Sequence, residues 1–165
     1  MKILVVEDTA YMAKAVIGLL ENLGHEVDWV IGFNDPKALV CLDPDGQEVT
    51  LVASDYGLVF MDGDLEGHAE GKNLVPAFAE AGVPCVGTSS TVDMNEDMVN
   101  AGAVGYALKV TFFLALVHNI VSPEEFAEFN EATQEALQAV EAKSKSQEDG
   151  KEFRKAGEVL IREHM

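Results

Sequence analysis

Residues 2–8 read KILVVED: four apolar side chains, Ile3 to Val6, run directly into the acidic pair Glu7-Asp8. The run is too short for a helix, and a continuous apolar stretch of this length suits a strand covered on both faces. Asp8-Thr9 then opens a segment in which Met12, Val16, Leu19 and Leu23 recur at helical spacing, with Gly24 as its C-cap. The motif is strand, acidic loop, helix.

The pattern repeats along the chain. His25 to Ile31 alternates Val27, Trp29 and Ile31 with polar neighbours and predicts a second, half-exposed strand. Tyr56 to Met61 (YGLVFM), Val83 to Gly87 (VPCVG) and Val104 to Leu108 (VGYAL) predict three more. Helices are expected over 73–81, 92–101 and 111–121, the last carrying Phe112, Leu116 and Ile120 on one face. Such alternation predicts an α/β fold, a doubly wound five-stranded parallel sheet. One place breaks the rhythm: Ala38 to Leu42 and Val49 to Ala53 are β-like runs flanking DPDGQ, whose Asp, Pro and Gly suit a tight turn. A β-hairpin is therefore expected where the second helix would stand.

The chain divides by pattern into an α/β domain, 1–121, and an acidic helical extension, 122–165. The extension opens with Ser122 as N-cap, Pro123 at the first helical position and Glu124-Glu125 against the positive helix end. Phe126, Phe129, Leu137 and Val140 form its apolar stripe. KSKSQEDG (143–150) reads as a linker to a last helix with Phe153, Ala156 and Leu160.

A length of 165 residues, 48% hydrophobic, supplies one core. The formal charge of −18 would repel nucleic-acid phosphates and anionic lipid, which argues against direct nucleic-acid or membrane binding. The start has neither the basic region nor the long apolar region of a signal peptide, so a soluble, cytoplasmic protein is expected. Cys41 and Cys85 sit in apolar runs without metal or redox spacing and read as buried free thiols; His25, His68, His118 and His164 show no ligand spacing.

In a parallel sheet the C-terminal strand ends meet at one edge, where ligands bind. Glu7-Asp8, Asp62 and Asp64, Thr88-Ser89, and Lys109 each follow a strand. Clustered carboxylates repel by about 4 kcal/mol per pair near 4 Å at an effective dielectric of 20, so they call for a counter-ion. Oxygen ligands without Cys or His favour Mg²⁺. Asp62 could then attack phosphorus as a nucleophile, while Lys109 and the Thr88 or Ser89 hydroxyl neutralise phosphoryl oxygens.

ILVVED, the strand ending in Asp62, VPCVGTS and AGAVGYALK, in this order over residues 1 to about 121, resemble the CheY-like receiver domains of two-component response regulators. The resemblance implies a phosphoacceptor Asp62, served by a sensor histidine kinase or a histidine phosphotransfer protein. Its phosphotransfer and autodephosphorylation would be self-catalysed, without turnover of a separate substrate. It implies Mg²⁺ held by Glu7, Asp8, Asp62 and the backbone carbonyl of Asp64, with Asp8 a direct ligand. It further implies that Lys109 contacts the phosphoryl group, that Thr88 or Ser89 swings toward it, and that Tyr106 turns inward as the switch. Counting from Pro84 points to Ser89 and counting back from Lys109 to Thr88; Thr88 is preferred, with Ser89 kept beside it.

The sequence departs from the family at Val110, where receivers carry a proline in a cis peptide. A cis bond before a non-proline residue costs about 3 kcal/mol, so the entry to the last domain helix should be rearranged. Gly63-Asp64-Leu65-Glu66-Gly67 replaces the usual Met-Pro pair and predicts an acidic, flexible loop. The 44 residues after position 121 are too few for most effectors, which implies a stand-alone receiver signalling to a downstream protein partner, with a possible homodimer through the C-terminal helices. Two rivals exist. Asp62-Gly63-Asp64 also resembles haloacid-dehalogenase-like phosphatases, with Asp64 as acid/base, but VTFFLALVHNIV (110–121) lacks the acidic motif they need. A receiver that no longer takes phosphate, acting as an interaction module, is the other.

Overall fold

The structure, a computed structural model, describes residues 1–65 and 70–146. Five parallel strands, β1 (Lys2–Val6), β2 (Glu26–Val30), β6 (Leu58–Met61), β7 (Cys85–Gly87) and β8 (Gly105–Tyr106), form a sheet in the order β2-β1-β6-β7-β8. The strand order reverses between β1 and β6, so the crevice at their C-terminal ends is the switch point where such sheets bind ligands. Helices α1 (Ala10–Asn22), α2 (Val75–Glu80) and α3 (Val92–Asn100) lie between these strands, and α4 (Lys109–Val117) follows β8.

Side chains of successive strand residues point to opposite faces, and here both faces are covered. Ile3, Val5, Leu58, Phe60 and Val86 join Val16, Leu20, Phe112 and Leu116 in one core; Leu4, Val6, Val59, Met61 and Cys85 join Leu74, Phe78 and Met98 in the other. This two-sided burial is why β1 and β6 read as unbroken apolar runs.

The expected hairpin is present as β4 (Val40–Leu42) and β5 (Glu48–Thr50), joined through a turn in which the Asp43 carboxylate accepts N–H bonds from Asp45 and Gln47. The sequence reading missed a third strand, β3 (Gly32–Asp35), which pairs antiparallel with β4 through Gly32↔Leu42 and Phe33↔Cys41 and is irregular before Asp35. Its Asn34-Asp35 end lacks strand character, and only pairing across the chain makes it one. Phe33, Leu39 and Cys41 of this small sheet enter the second core, the surface that a helix would otherwise cover.

Boundaries moved where local chemistry overrode the apolar pattern. The fifth strand is two residues long, and α4 begins at Lys109 rather than 111. Asn119 takes a left-handed conformation (φ 62°), a common way to end a helix, so α4 stops short of 121. Among the described residues every peptide bond is trans, Lys109–Val110 included.

Helix α5 (Pro123–Ser146) opens as expected, with the Glu125 N–H donating to Ser122 Oγ at 3.2 Å. It runs through KSKS, correcting the first half of the expected linker, since lysine and serine are tolerated in helices and lysine suits a helix C-terminus; 147–150 lie outside the described residues. The expected last helix lies outside the described residues, as do the side chains of Leu137 and Val140. Phe126 is 1% exposed and packs against both Phe60 and Phe112, with ring centroids 5.4 and 5.7 Å away. No described helix is long and apolar enough to cross a membrane.

Candidate functional site

β1 and β6 deliver Glu7, Asp8 and Asp62 to the switch-point crevice, and their carboxylate oxygens lie within 4.8 Å of one another. Glu7 is 5% and Asp62 3% exposed; Asp8 is half-buried. Backbone geometry fixes the placement. The Asp62 N–H donates to the Val6 carbonyl (2.9 Å) and the Glu7 N–H to the Val30 carbonyl (3.1 Å), extending the sheet ladder by one residue at each strand end. The Trp29 indole N–H donates to the Glu7 carbonyl at 2.7 Å, and the Thr9 N–H to Glu7 Oε1 at 3.1 Å.

Lys109, in the first turn of α4, reaches across the sheet into this cluster. Its Nζ is 2.8 Å from Asp62 Oδ2 and 3.1 Å from Glu7 Oε2. Burial, with Asp62 repulsion added, pushes the Glu7 carboxyl above its ordinary range against the pull of Lys109. Burial likewise raises Asp62, opposed by Lys109 and by the backbone N–H groups of Asp64 and Gly63. Burial pulls the Lys109 ammonium down, but pairing with Asp62 and Glu7 outweighs it, and the group holds its proton more tightly than usual.

An open cleft of about 360 Å³ lies over these groups and is lined by Asp8, Asp62, Asp64, Ser89, Thr91 and Lys109 among others. Hard oxygen donors, with Asp8 and Asp62 on the cleft wall and Glu7 beside them, and no His or Cys in that wall among the described residues, fit a divalent cation such as Mg²⁺, which binds through one or two carboxylates and keeps waters.

The two candidate hydroxyl residues part company here. Ser89 lines the cleft, whereas Thr88, also buried, is not in its wall and continues the ladder through its N–H to the Met61 carbonyl. Asp64 is exposed at the rim. Tyr106 is half-buried on β8, paired in register with Gly87. The described part of the loop after Asp62 is anchored, contrary to expectation: Gly63 is buried against Ser89 and Leu65 enters the core. Glu66 to Ala69, with His68, lie outside the described residues. Cys41 and Cys85 are free and buried, their thiols pushed by burial up to about 11 and about 12.

Two residues that the sequence reading passed over shape the site. Gly71 donates its N–H to the Gly63 carbonyl at 3.1 Å, and a Cβ there would collide with the Asp62 carbonyl oxygen. No local pattern signals such a long-range approach. Asn95, fully buried in α3, holds the loop that carries Ser89. Its signal was available: a polar residue three before Met98, on the face the helix buries.

No protein-family model matches the sequence, and no curated protein does. Solved structures do match. A CheY-like response-regulator receiver domain protein from Methanospirillum hungatei aligns over 79% of this chain and 97% of its own, at 19% identity and TM-score 0.52. The phosphorylated cyanobacterial phytochrome response regulator RcpA aligns over 76% and 92%, at 19% identity and TM-score 0.54. NtrX from Brucella abortus aligns over 84% of this chain and 29% of its own, at 22% identity and TM-score 0.55. These identities speak to architecture, and together with the strand order and two-sided core they give this chain the fold of the CheY-like response-regulator receiver domains.

Proposed function

We propose that the protein is a response-regulator receiver that takes a phosphoryl group on Asp62 from a histidine kinase or a histidine phosphotransfer protein. The observation that carries this reading is the triad of contacts at one strand end. A buried Asp62 carboxylate is held by Lys109 Nζ at 2.8 Å and faces Glu7 and Asp8 within 4.8 Å.

In the transfer an Asp62 carboxylate oxygen attacks phosphorus, the P–N bond of phosphohistidine breaks, and the imidazole leaves with the bonding pair. Water later attacks the aspartyl phosphate, releasing inorganic phosphate and restoring Asp62. Lys109, freed from Asp62 as that charge moves onto the phosphoryl oxygens, follows the charge and stabilises it. Ser89, on the cleft wall, is the hydroxyl we assign to a phosphoryl oxygen, in preference to Thr88. Asp8, Asp62 and the Asp64 carbonyl are the proposed Mg²⁺ ligands, with Glu7 behind them, tied to Lys109. A bound Mg²⁺ supplies positive charge to the phosphoryl oxygens and relieves the carboxylate repulsion.

Tyr106, beside Gly87, is the proposed switch side chain; the output is a protein contact made in the cytoplasm. We take residues 1–121 as the receiver and 122–165 as its extension, which offers a surface for a downstream partner or a second copy. The phosphatase reading is disfavoured by Asp64, which stands outside the carboxylate cluster that Glu7 and Asp8 complete.

Incubation with acetyl phosphate and Mg²⁺, followed by intact-mass measurement, tests the proposal. Wild type should gain one hydroxylamine-labile phosphoryl group and Asp62→Ala none. Absence of the adduct on wild type refutes it, and turnover of unrelated phosphate esters would favour the phosphatase.

A further inference from the structure

Asn95 makes three directed contacts to the loop that carries Ser89. Its Oδ1 accepts the Ser89 N–H at 3.0 Å, and its Nδ2 donates to the Ser89 and Thr91 carbonyls, both at 3.0 Å. Only one orientation of the amide satisfies this set, because a flipped group would set donor against donor and acceptor against acceptor. The Ser89 carbonyl also receives the Lys109 N–H at 3.3 Å, at the first turn of α4. One fully buried side chain thus grips the Ser89 backbone on both sides of its Cα, and the Ser89 carbonyl in turn meets the backbone of Lys109. The Ser89 hydroxyl itself rests on Met94 Sδ at 3.3 Å, a weak acceptor it can leave readily. Gly87 makes room for the clamp, since a Cβ there would meet Asn95 Oδ1 at 2.8 Å.

We propose that Asn95 is a positioning residue for phosphoryl transfer, setting the Ser89 hydroxyl and the Lys109 ammonium in one frame relative to Asp62. The inference rests on the phosphoacceptor reading of Asp62. Asn95 touches neither the acidic cluster nor the cleft, so its loss should spare cation binding and slow the chemistry.

The test compares wild type, Asn95→Ala, Asn95→Asp, Ser89→Ala and the Ser89→Ala/Asn95→Ala double variant. The rate of adduct formation with acetyl phosphate is one readout. Mg²⁺ affinity is the other, followed by fluorescence of Trp29, the only tryptophan, whose indole N–H bonds the Glu7 carbonyl. Asn95→Asp keeps the volume and the Oδ acceptor but sets a carboxylate against two carbonyls, so it carries the test should the alanine variant fail to fold. Either Asn95 variant should react at least about tenfold more slowly, the scale of a small misplacement of reacting groups. Mg²⁺ affinity should hold within about twofold, and the double variant should lose less than the product of the single losses. A folded Asn95 variant at the wild-type rate, losses that multiply, or Mg²⁺ affinity falling in step with the rate would each overturn the inference alone. A wild type that takes no phosphoryl group removes the phosphoacceptor reading, and this inference with it.

Discussion

Lys109→Met tests the electrostatics of the pocket most directly, because it keeps the apolar stem and deletes only the cation. At an effective dielectric of about 20, contacts of 2.8 and 3.1 Å correspond to roughly 6 and 5 kcal/mol of attraction, against at least about 3.5 kcal/mol of repulsion between carboxylate oxygens within 4.8 Å. Most of the gross attraction offsets burial of the charges, and removing one member of a buried pair costs about 3–5 kcal/mol net. Taking about 3 kcal/mol, the melting temperature should fall by roughly 6–12 °C for a chain of this size. The deficit carries a pH signature. Burial already raises Asp62 and Glu7 above their ordinary values of 3.8 and 4.5, and raised carboxyls favour the fold below those values and lose that contribution as pH rises through the folded-state value. Without Lys109 the raise grows, so the gap to wild type should be small at pH 5 and widest near pH 8. Comparing the two proteins at each pH cancels the general effect of the −18 charge. Thermal denaturation followed by circular dichroism, with and without millimolar Mg²⁺, is the assay, and the cation should raise the melting temperature of the variant more than that of wild type. A deficit under about 1 kcal/mol, or one equal at pH 5 and pH 8, would refute the reasoning.

Gly71→Ala should destabilise by about 2 kcal/mol or more and weaken Mg²⁺ binding together, because the added methyl must displace the Asp62 backbone; denaturant titration and Trp29 fluorescence check it. Phe126→Ala, emptying the space beside Phe60 and Phe112, should cost about 3–5 kcal/mol by urea denaturation, and removal of residues 122–165 should cost at least as much. Cys41 and Cys85 should resist thiol reagents at pH 8 in the native state and react at once in denaturant, since burial holds both thiols protonated.

Much of this protein was legible in one dimension, and for a local reason. A parallel strand covered on both faces must be apolar throughout, so β1 and β6 announce themselves, and a polar residue at the end of such a strand has few places to be other than the ligand edge of the sheet. Glu7, Asp8, Asp62 and Lys109 were therefore recognisable from where their strands stop. The turn at DPDGQ and the start of α5 at Ser122 were visible for a similar reason, since turn and cap chemistry acts within four residues.

What only the tertiary structure decided involves partners far apart in the chain. Strand β3 exists because β4 pairs with it, and its own residues carry no strand pattern. Gly71 is a glycine because the Asp62 carbonyl, nine positions away in sequence, lies where its Cβ would be. Ser89 rather than Thr88 faces the cleft because of how the loop leaves β7 under the grip of Asn95. Composition and periodicity report whether a side chain is buried; they carry no record of which distant group it is buried against, and the close fit of this pocket is made of those distant pairs.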